Sequence, residues 1–128
     1  MKTASAKAKG RDFQKDIVFA IQKWLNLTDD DIRPVAASVN GVDIELTSKQ
    51  ARELFPYGVE CKRQEKLNIW DAISQCETNA DAIGKRPLLV FKRNRSEIYA
   101  AMPFYWLMYL IEENNRLKGL IHDNSTHG

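Results

Sequence analysis

The chain has 128 residues, enough for one domain with a real core and too few for two. Its 44% apolar and 28% charged shares are ordinary for a globular protein, and 19 Lys plus Arg against 17 Asp plus Glu leave a net charge of only +2. That balance does not mark a nucleic-acid binder by itself, so the distribution of charge matters more than its sum.

The longest apolar run, residues 104–111, is far too short to cross a bilayer, and residues 1–10 lack the apolar core of a signal peptide. These features predict a cytoplasmic protein, with no membrane partner, whose two cysteines, Cys61 and Cys76, are reduced and buried as small apolar residues. His122 and His127 lie in a polar tail, and no Cys/His spacing suggests zinc.

Residues 1–9, rich in Lys, Ala, Ser and Thr, read as a flexible basic arm. From Gly10 a helical pattern begins, with Phe13, Ile17, Ala20, Ile21 and Trp24 on one stripe, ending near Asn26. Residues 32–39 (IRPVAASV) form a predicted strand, at an edge because Pro34 cannot donate to a ladder. Asn40-Gly41 is a hairpin turn signal, and residues 42–46 are a second strand. Thr47 with Gln50 resembles a capping box, predicting a short helix over 48–54 that Pro56 ends. Residues 57–63 are a third strand, completing a meander.

Asn68 suits an N-cap, and Ile69, Ile73, Cys76, Ala80 and Ile83 define the buried stripe of the helix that follows, which Gly84 ends. PLLVFK, residues 87–92, is apolar as a central strand should be, and its place after a strand and a helix implies a right-handed parallel crossover. A turn at 94–96, a closing strand at 97–101 and a last helix over 103–117, opened by Pro103, complete the domain. The expected organisation is a basic arm over 1–9, one domain over 10–118 and a disordered tail over 119–128.

Chemistry concentrates in Gly41-Val42-Asp43 and in Val59-Glu60-Cys61-Lys62. Residues two apart on a strand share a face, so Glu60 and Lys62 point the same way. Asp43, on the preceding strand of the meander, is expected to meet them there. Two carboxylates bind a hard cation such as Mg²⁺ through oxygen, and Mn²⁺ suits the same ligands. The cation activates water and polarises a phosphate, while a neighbouring lysine orients the water or offsets transition-state charge. The grouping therefore suits phosphodiester hydrolysis; the alternative is a salt bridge on a solvated strand face.

Glu45 shares the face of Asp43 and is a further ligand candidate, against a solvated strand residue. Basic residues gather before the first helix (Lys2, Lys7, Lys9, Arg11), after the third strand (Lys62, Arg63, Lys66) and around the fourth (Lys85, Arg86, Lys92, Arg93, Arg95). Arg63, Gln64 and Lys66, and with them Lys92, Arg93 and Arg95, suit contacts to a DNA backbone. Trp70 is expected in the core. The aromatic patch around Phe104, Tyr105, Trp106, Met108 and Tyr109 is larger than one amphipathic face needs; packing on the sheet is the expected placement, with a homodimer contact for part of it as the alternative.

These residues resemble the PD-(D/E)xK nuclease superfamily, with Asp43 and Glu60-Cys61-Lys62 in the places of the D and the ExK. More narrowly the chain resembles small phage-encoded, Holliday junction resolvase-like endonucleases. The resemblance lies in Gly10-Arg11 with Gln14, in Gly41-Val42-Asp43-Ile44, in Phe55-Pro56, in ECKRQEKLNIW (60–70), in Gln75 and in PLLVFKRNRS (87–96), and it spans roughly residues 9–111.

It implies an α/β, restriction-endonuclease-like core: a mixed central sheet, made of the three-strand meander and the parallel crossover strand, flanked by helices. It also implies metal ligation by Asp43, Glu60 and the Cys61 carbonyl, with Lys62 as the catalytic lysine. Gln14 stands where many members place a glutamate on the first helix, which leaves the number of metal ions open. Gln75 would reach the phosphate or water from its helix, and Arg11 would contact DNA. The expected activity is Mg²⁺-dependent cleavage of branched or junction DNA by a homodimer in the host cytoplasm. The alternatives are a general duplex or nicking endonuclease in phage DNA processing, and a silent DNA-binding module of the same fold.

Overall fold

The computed structural model describes residues 4–36 and 40–122. Lys2, the end of the strand expected over 32–39, and His127 with most of the expected tail lie outside the described residues.

The first helix, α1, spans Ala4–Leu25. It begins at Ala4 rather than Gly10, because Ala4, Ala6, Lys7, Ala8 and Lys9 are strong helix formers. The basic arm expected over 1–9 is therefore helical from Ala4 onward. Asn26, with φ 56°, takes the left-handed conformation that ends a helix. The buried face is Phe13, Ile17 and Val18, with Ile21 and Leu25 packed beside it. The expected stripe was rotated: Ala20 is exposed and Trp24 is 86% exposed.

Two short strands follow, β1 (Ile32–Pro34) and β2 (Ile44–Leu46), paired antiparallel as a two-stranded ladder. Helix α2 spans Lys49–Leu54, and its cap is Ser48, whose Oγ accepts from Ala51 N at 3.0 Å. The expected cap, Thr47, instead donates its hydroxyl to the Asp30 carbonyl at 2.6 Å.

Strand β3 (Tyr57–Arg63), helix α3 (Ile69–Ala82) and strand β4 (Arg86–Lys92) form the expected parallel crossover, and β5 (Tyr99–Ala101) closes the sheet antiparallel to β4. Asn68 caps α3 through its side-chain oxygen, 3.2 Å from Asp71 N, and Gly84 at φ 66° follows its end. The fold is thus α/β with a mixed sheet flanked by helices, as the restriction-endonuclease-like class requires. The meander, however, is not one continuous ladder. The β1–β2 hairpin stands apart from the β3-β4-β5 sheet and reaches it through the backbone bond from Asp43 N to Val59 O, 2.9 Å.

Side-chain alternation divides the sheet's two faces. Val59 and Val90 join Phe13, Ile17, Ile32 and Ile44 in the core beneath α1. Leu89 joins Ala72 and Cys76 of α3 on the other face, with Ile69, Ile73, Phe91 and Ala101 around it. Ile83, the last residue of the expected α3 stripe, is 49% exposed.

Close packing of α3 on β3 depends on Gly58. A Cβ there would lie 2.7 Å from Ala80 Cβ and 2.8 Å from Ala80 Cα. Gly58→Ala is expected to push α3 off the sheet and destabilise the protein by about 1–3 kcal/mol, the usual cost of overpacking. A urea midpoint equal to that of the wild type would show that α3 shifts without cost.

Candidate active site

Residues from three elements and one loop meet at a cleft of about 610 Å³. Strand β3 supplies Glu60, Cys61, Lys62 and Arg63, with Gln64 just beyond it; α1 supplies Lys7, Arg11 and Gln14; α3 supplies Gln75; and the segment leading into β2 supplies Asn40, Gly41 and Asp43. The core of the expected site, Asp43 with Glu60, Cys61 and Lys62, is therefore one place, together with Gln14, Gln75, Arg11, Arg63 and Gln64. Asp43 is not within a strand but immediately precedes β2.

Asp43 is fixed from both its main chain and its side chain. Its N–H donates to Val59 O, and its Oδ2 accepts from Cys61 N at 2.7 Å. This sets its carboxylate against the β3 backbone beside Glu60. Glu60 is only 3% exposed. Lys62 Nζ lies 3.6 Å from its Oε1, and Asn79 Nδ2 of α3 lies 3.5 Å from its Oε2. Burial first, and then the Asp43 charge, push the Glu60 carboxyl above its ordinary value, against the opposing pull of Lys62 and Asn79.

A donor set of two carboxylates at one cleft, one of them buried beside a like charge, suits a hard divalent cation. The added positive charge would favour the ionised Glu60 carboxylate, opposing the burial and the Asp43 charge that raise it. Among the described residues no cluster of three or more His, Cys, Asp or Glu side chains could hold a metal. Further ligands at such a site would have to be carbonyl, water or phosphate oxygens. Cys61 could contribute only through its backbone carbonyl, because burial raises its thiol far above the usual range. Cys76 is buried, with its thiol pushed up to about 11, chiefly by desolvation. Both cysteines are free.

The remaining candidates do not all enter this cleft. Glu45 does not join the cleft; it pairs with Arg33 across the hairpin at 3.5 Å, the two residues being in register. The Gln14 amide nitrogen donates to the backbone carbonyls of Asp43 and of Val35, the latter at 3.3 Å, so it ties α1 to the hairpin. Lys66 and Arg95 are exposed and line neither this cleft nor its neighbour. Lys92 and Arg93 border that neighbouring pocket, which shares Gln64 with the cleft. Trp70 is 76% exposed rather than core.

Asn79, by contrast, was not singled out from the sequence, although it also donates to Gly41 O at 3.2 Å. It lies four residues after Gln75 on α3, and that spacing places both on one helix face.

A mixed sheet between helices, with paired carboxylates and a lysine at one cleft, defines a nuclease domain of the PD-(D/E)xK class. The chain matches the family described as phage putative PDDEXK endonuclease over residues 5–124, and it belongs to that family. No curated protein and no solved structure matches it. Membership places it among phage PDDEXK endonucleases, a class that implies DNA as substrate. No helix among the described residues is long and apolar enough to cross a membrane.

The raised Glu60 carboxyl carries a stability consequence. A carboxyl whose folded-state pKa is raised favours folding while protonated, and that contribution is lost as pH rises through the folded value. Glu60→Gln is therefore expected to raise the melting temperature at pH 7 in EDTA, with the gain shrinking as the pH falls and the wild-type carboxyl takes up its proton. An unchanged or lowered melting temperature at pH 7 would show that Lys62 and Asn79 already compensate the buried charge.

Proposed function

We propose that this protein is a Mg²⁺-dependent endonuclease that cuts branched DNA as a homodimer. The observation that carries the reading is the convergence of Asp43, buried Glu60 and Lys62 in one cleft that Lys7, Arg11 and Arg63 also line. Asp43, Glu60 and the Cys61 carbonyl would hold the cation; Mn²⁺ suits the same oxygens. When bound, the cation polarises the scissile phosphate and lowers the pKa of a water. Lys62, within 3.6 Å of Glu60, is placed to orient an attacking water and to offset charge gathering on the phosphate. Gln75 approaches the same space from α3, and Gln14 acts as a positioning residue through the hairpin carbonyls.

Arg11, Arg63 and Gln64 hold the flanking phosphates. Arg63 Nε is buried with no hydrogen-bond partner among the described residues, while its Nη2 is anchored on Asn94 Oδ1 at 3.2 Å.

The homodimer rests on α4 (Phe104–Leu117), which buries no residue. Residues 104–111 are each at least 36% exposed, a continuous apolar and aromatic surface. The expected packing of this patch on the sheet is thus corrected. Beside it lies a groove lined by Trp70, Ile73, Pro87, Leu89, Met102 and Pro103, able to receive aromatic side chains of a second copy. A two-fold dimer would carry two clefts, as paired cuts in a branched substrate require. Light scattering at micromolar concentration is expected to give twice the chain mass, and Leu107→Lys with Ile111→Lys to give a monomer. A monomeric wild type would remove the dimer from the reading.

The activity is tested with a labelled four-way junction beside a linear duplex of the same sequence. Wild type in Mg²⁺ is expected to cut the junction preferentially, and Glu60→Gln to cut neither. Lys62→Ala should lower cleavage by about 10²-fold or more while metal binding persists. Equal cutting of both substrates would make the protein a general endonuclease with the same site. No cutting in Mg²⁺ or Mn²⁺ would leave a DNA-binding module.

A further inference from the structure

The cleft does not end at Gln64. That residue also lines a second pocket, of about 480 Å³, between the start of the loop after β3 and the β4–β5 turn. Its walls combine the rings of Phe91 and Tyr99 with the side chains of Leu67 and Ile69.

Strand register links this pocket to the proposed catalytic lysine. Lys62 pairs with Phe91, and Phe91 pairs with Tyr99. Residues in register share a sheet face, so the three form one row across β3, β4 and β5. Two inter-strand steps of about 4.8 Å put the Tyr99 backbone roughly 10 Å from that of Lys62. The Phe91 and Tyr99 rings lie 6.3 Å apart between centroids and are tilted by 31°. Tyr99, on the edge strand, is 58% exposed.

We infer that Phe91 and Tyr99 form a stacking subsite for an unpaired nucleobase next to the scissile phosphate. The inference rests on the nuclease reading of the adjoining cleft. A planar base offers the π-face that exposed aromatic rings stack on, whatever its identity. Lys92 and Arg93 border the pocket and suit the backbone phosphate of the same nucleotide. Glu65 and Glu97 also border it, and their carboxylates disfavour a phosphate within the pocket itself. The base therefore enters and its phosphate stays at the rim. A paired base is held in its stack and cannot enter without being extruded, whereas a base at a branch or flap is already released. The subsite thus supplies a physical basis for preferring branched over continuous duplex DNA.

The test is a thermodynamic cycle on binding, measured in Ca²⁺ with the full-length protein. The probes are a duplex carrying a short single-stranded flap, the same flap with an abasic residue at the first or second unpaired position, and a blunt duplex. Wild type is expected to bind the intact flap about tenfold or more tightly than an abasic one. Tyr99→Leu should lose a similar factor on the intact flap and nothing further on the abasic one. Tyr99→Phe should bind as wild type, and the blunt duplex should not distinguish any of them.

Losses that multiply independently, or a Tyr99→Leu loss that is as large on the blunt duplex, would overturn the subsite. Cleavage of the intact flap in Mg²⁺ reads the nuclease assignment separately. Coupling without cleavage keeps the stacking site and removes the enzyme, whereas cleavage without coupling does the reverse.

Discussion

The arrangement depends on how Asp43 is held. Its N–H reaches Val59 O, its Oδ2 accepts from Cys61 N, and its carbonyl accepts from Val35 N and from the Gln14 amide. One residue thereby joins the β1–β2 hairpin, the long first helix and the central sheet. The hairpin shares no ladder with β3, so without these bonds its carboxylate would have no defined distance from Glu60. Backbone bonds on rigid elements position a functional group more closely than a loop can. That is why an acidic residue outside any strand still stands opposite a strand residue.

Glu60 shows what such positioning costs. A carboxylate beneath a helix, beside a second carboxylate, is unfavourable in the metal-free protein, and its raised carboxyl is the sign of it. The helix is close enough to cover it only because Gly58, two residues earlier on β3, has no Cβ to collide with Ala80. Asn79, next to Ala80, can then offer its amide to Glu60 and to the Gly41 carbonyl. The glycine, the small helix residue and the asparagine belong to one packing solution whose product is a dry carboxylate facing a wet cleft.

The rest of the surface is organised around that cleft. The row from Lys62 through Phe91 to Tyr99 carries the α3 face of the sheet from charge to aromatic surface within three strands. On the far side, α4 leaves its apolar residues exposed while the Arg86 guanidinium covers the Trp106 ring at 4.2 Å and the Tyr109 ring at 5.1 Å. That stacking anchors part of the aromatic patch but buries none of the helix.

Local patterns made much of this legible. The period-two run of β3, the Asn68 cap, the apolar β4 and the crossover between them are short-range properties, and the GVD and ECK segments placed the carboxylates and lysine on adjoining elements. Periodicity defines a stripe but not its rotation against neighbours, so Trp24 and Ile83, expected inside, lie outside; Trp70, expected in the core as an aromatic at a helix start, is exposed as well. Likewise Thr47 and Ser48 are equivalent as letters, and only the chain path gives the cap to Ser48. Glu45 and Asp43 share a strand parity, but Arg33, in register across the hairpin, draws Glu45 away. Asn79 became a site residue only when Gly58 let α3 approach. The sequence by itself determined which residue types and elements the site uses, because those follow from local spacing. The tertiary structure alone decided which of them meet, because that depends on register, helix rotation and the closeness of packing between elements far apart in the chain.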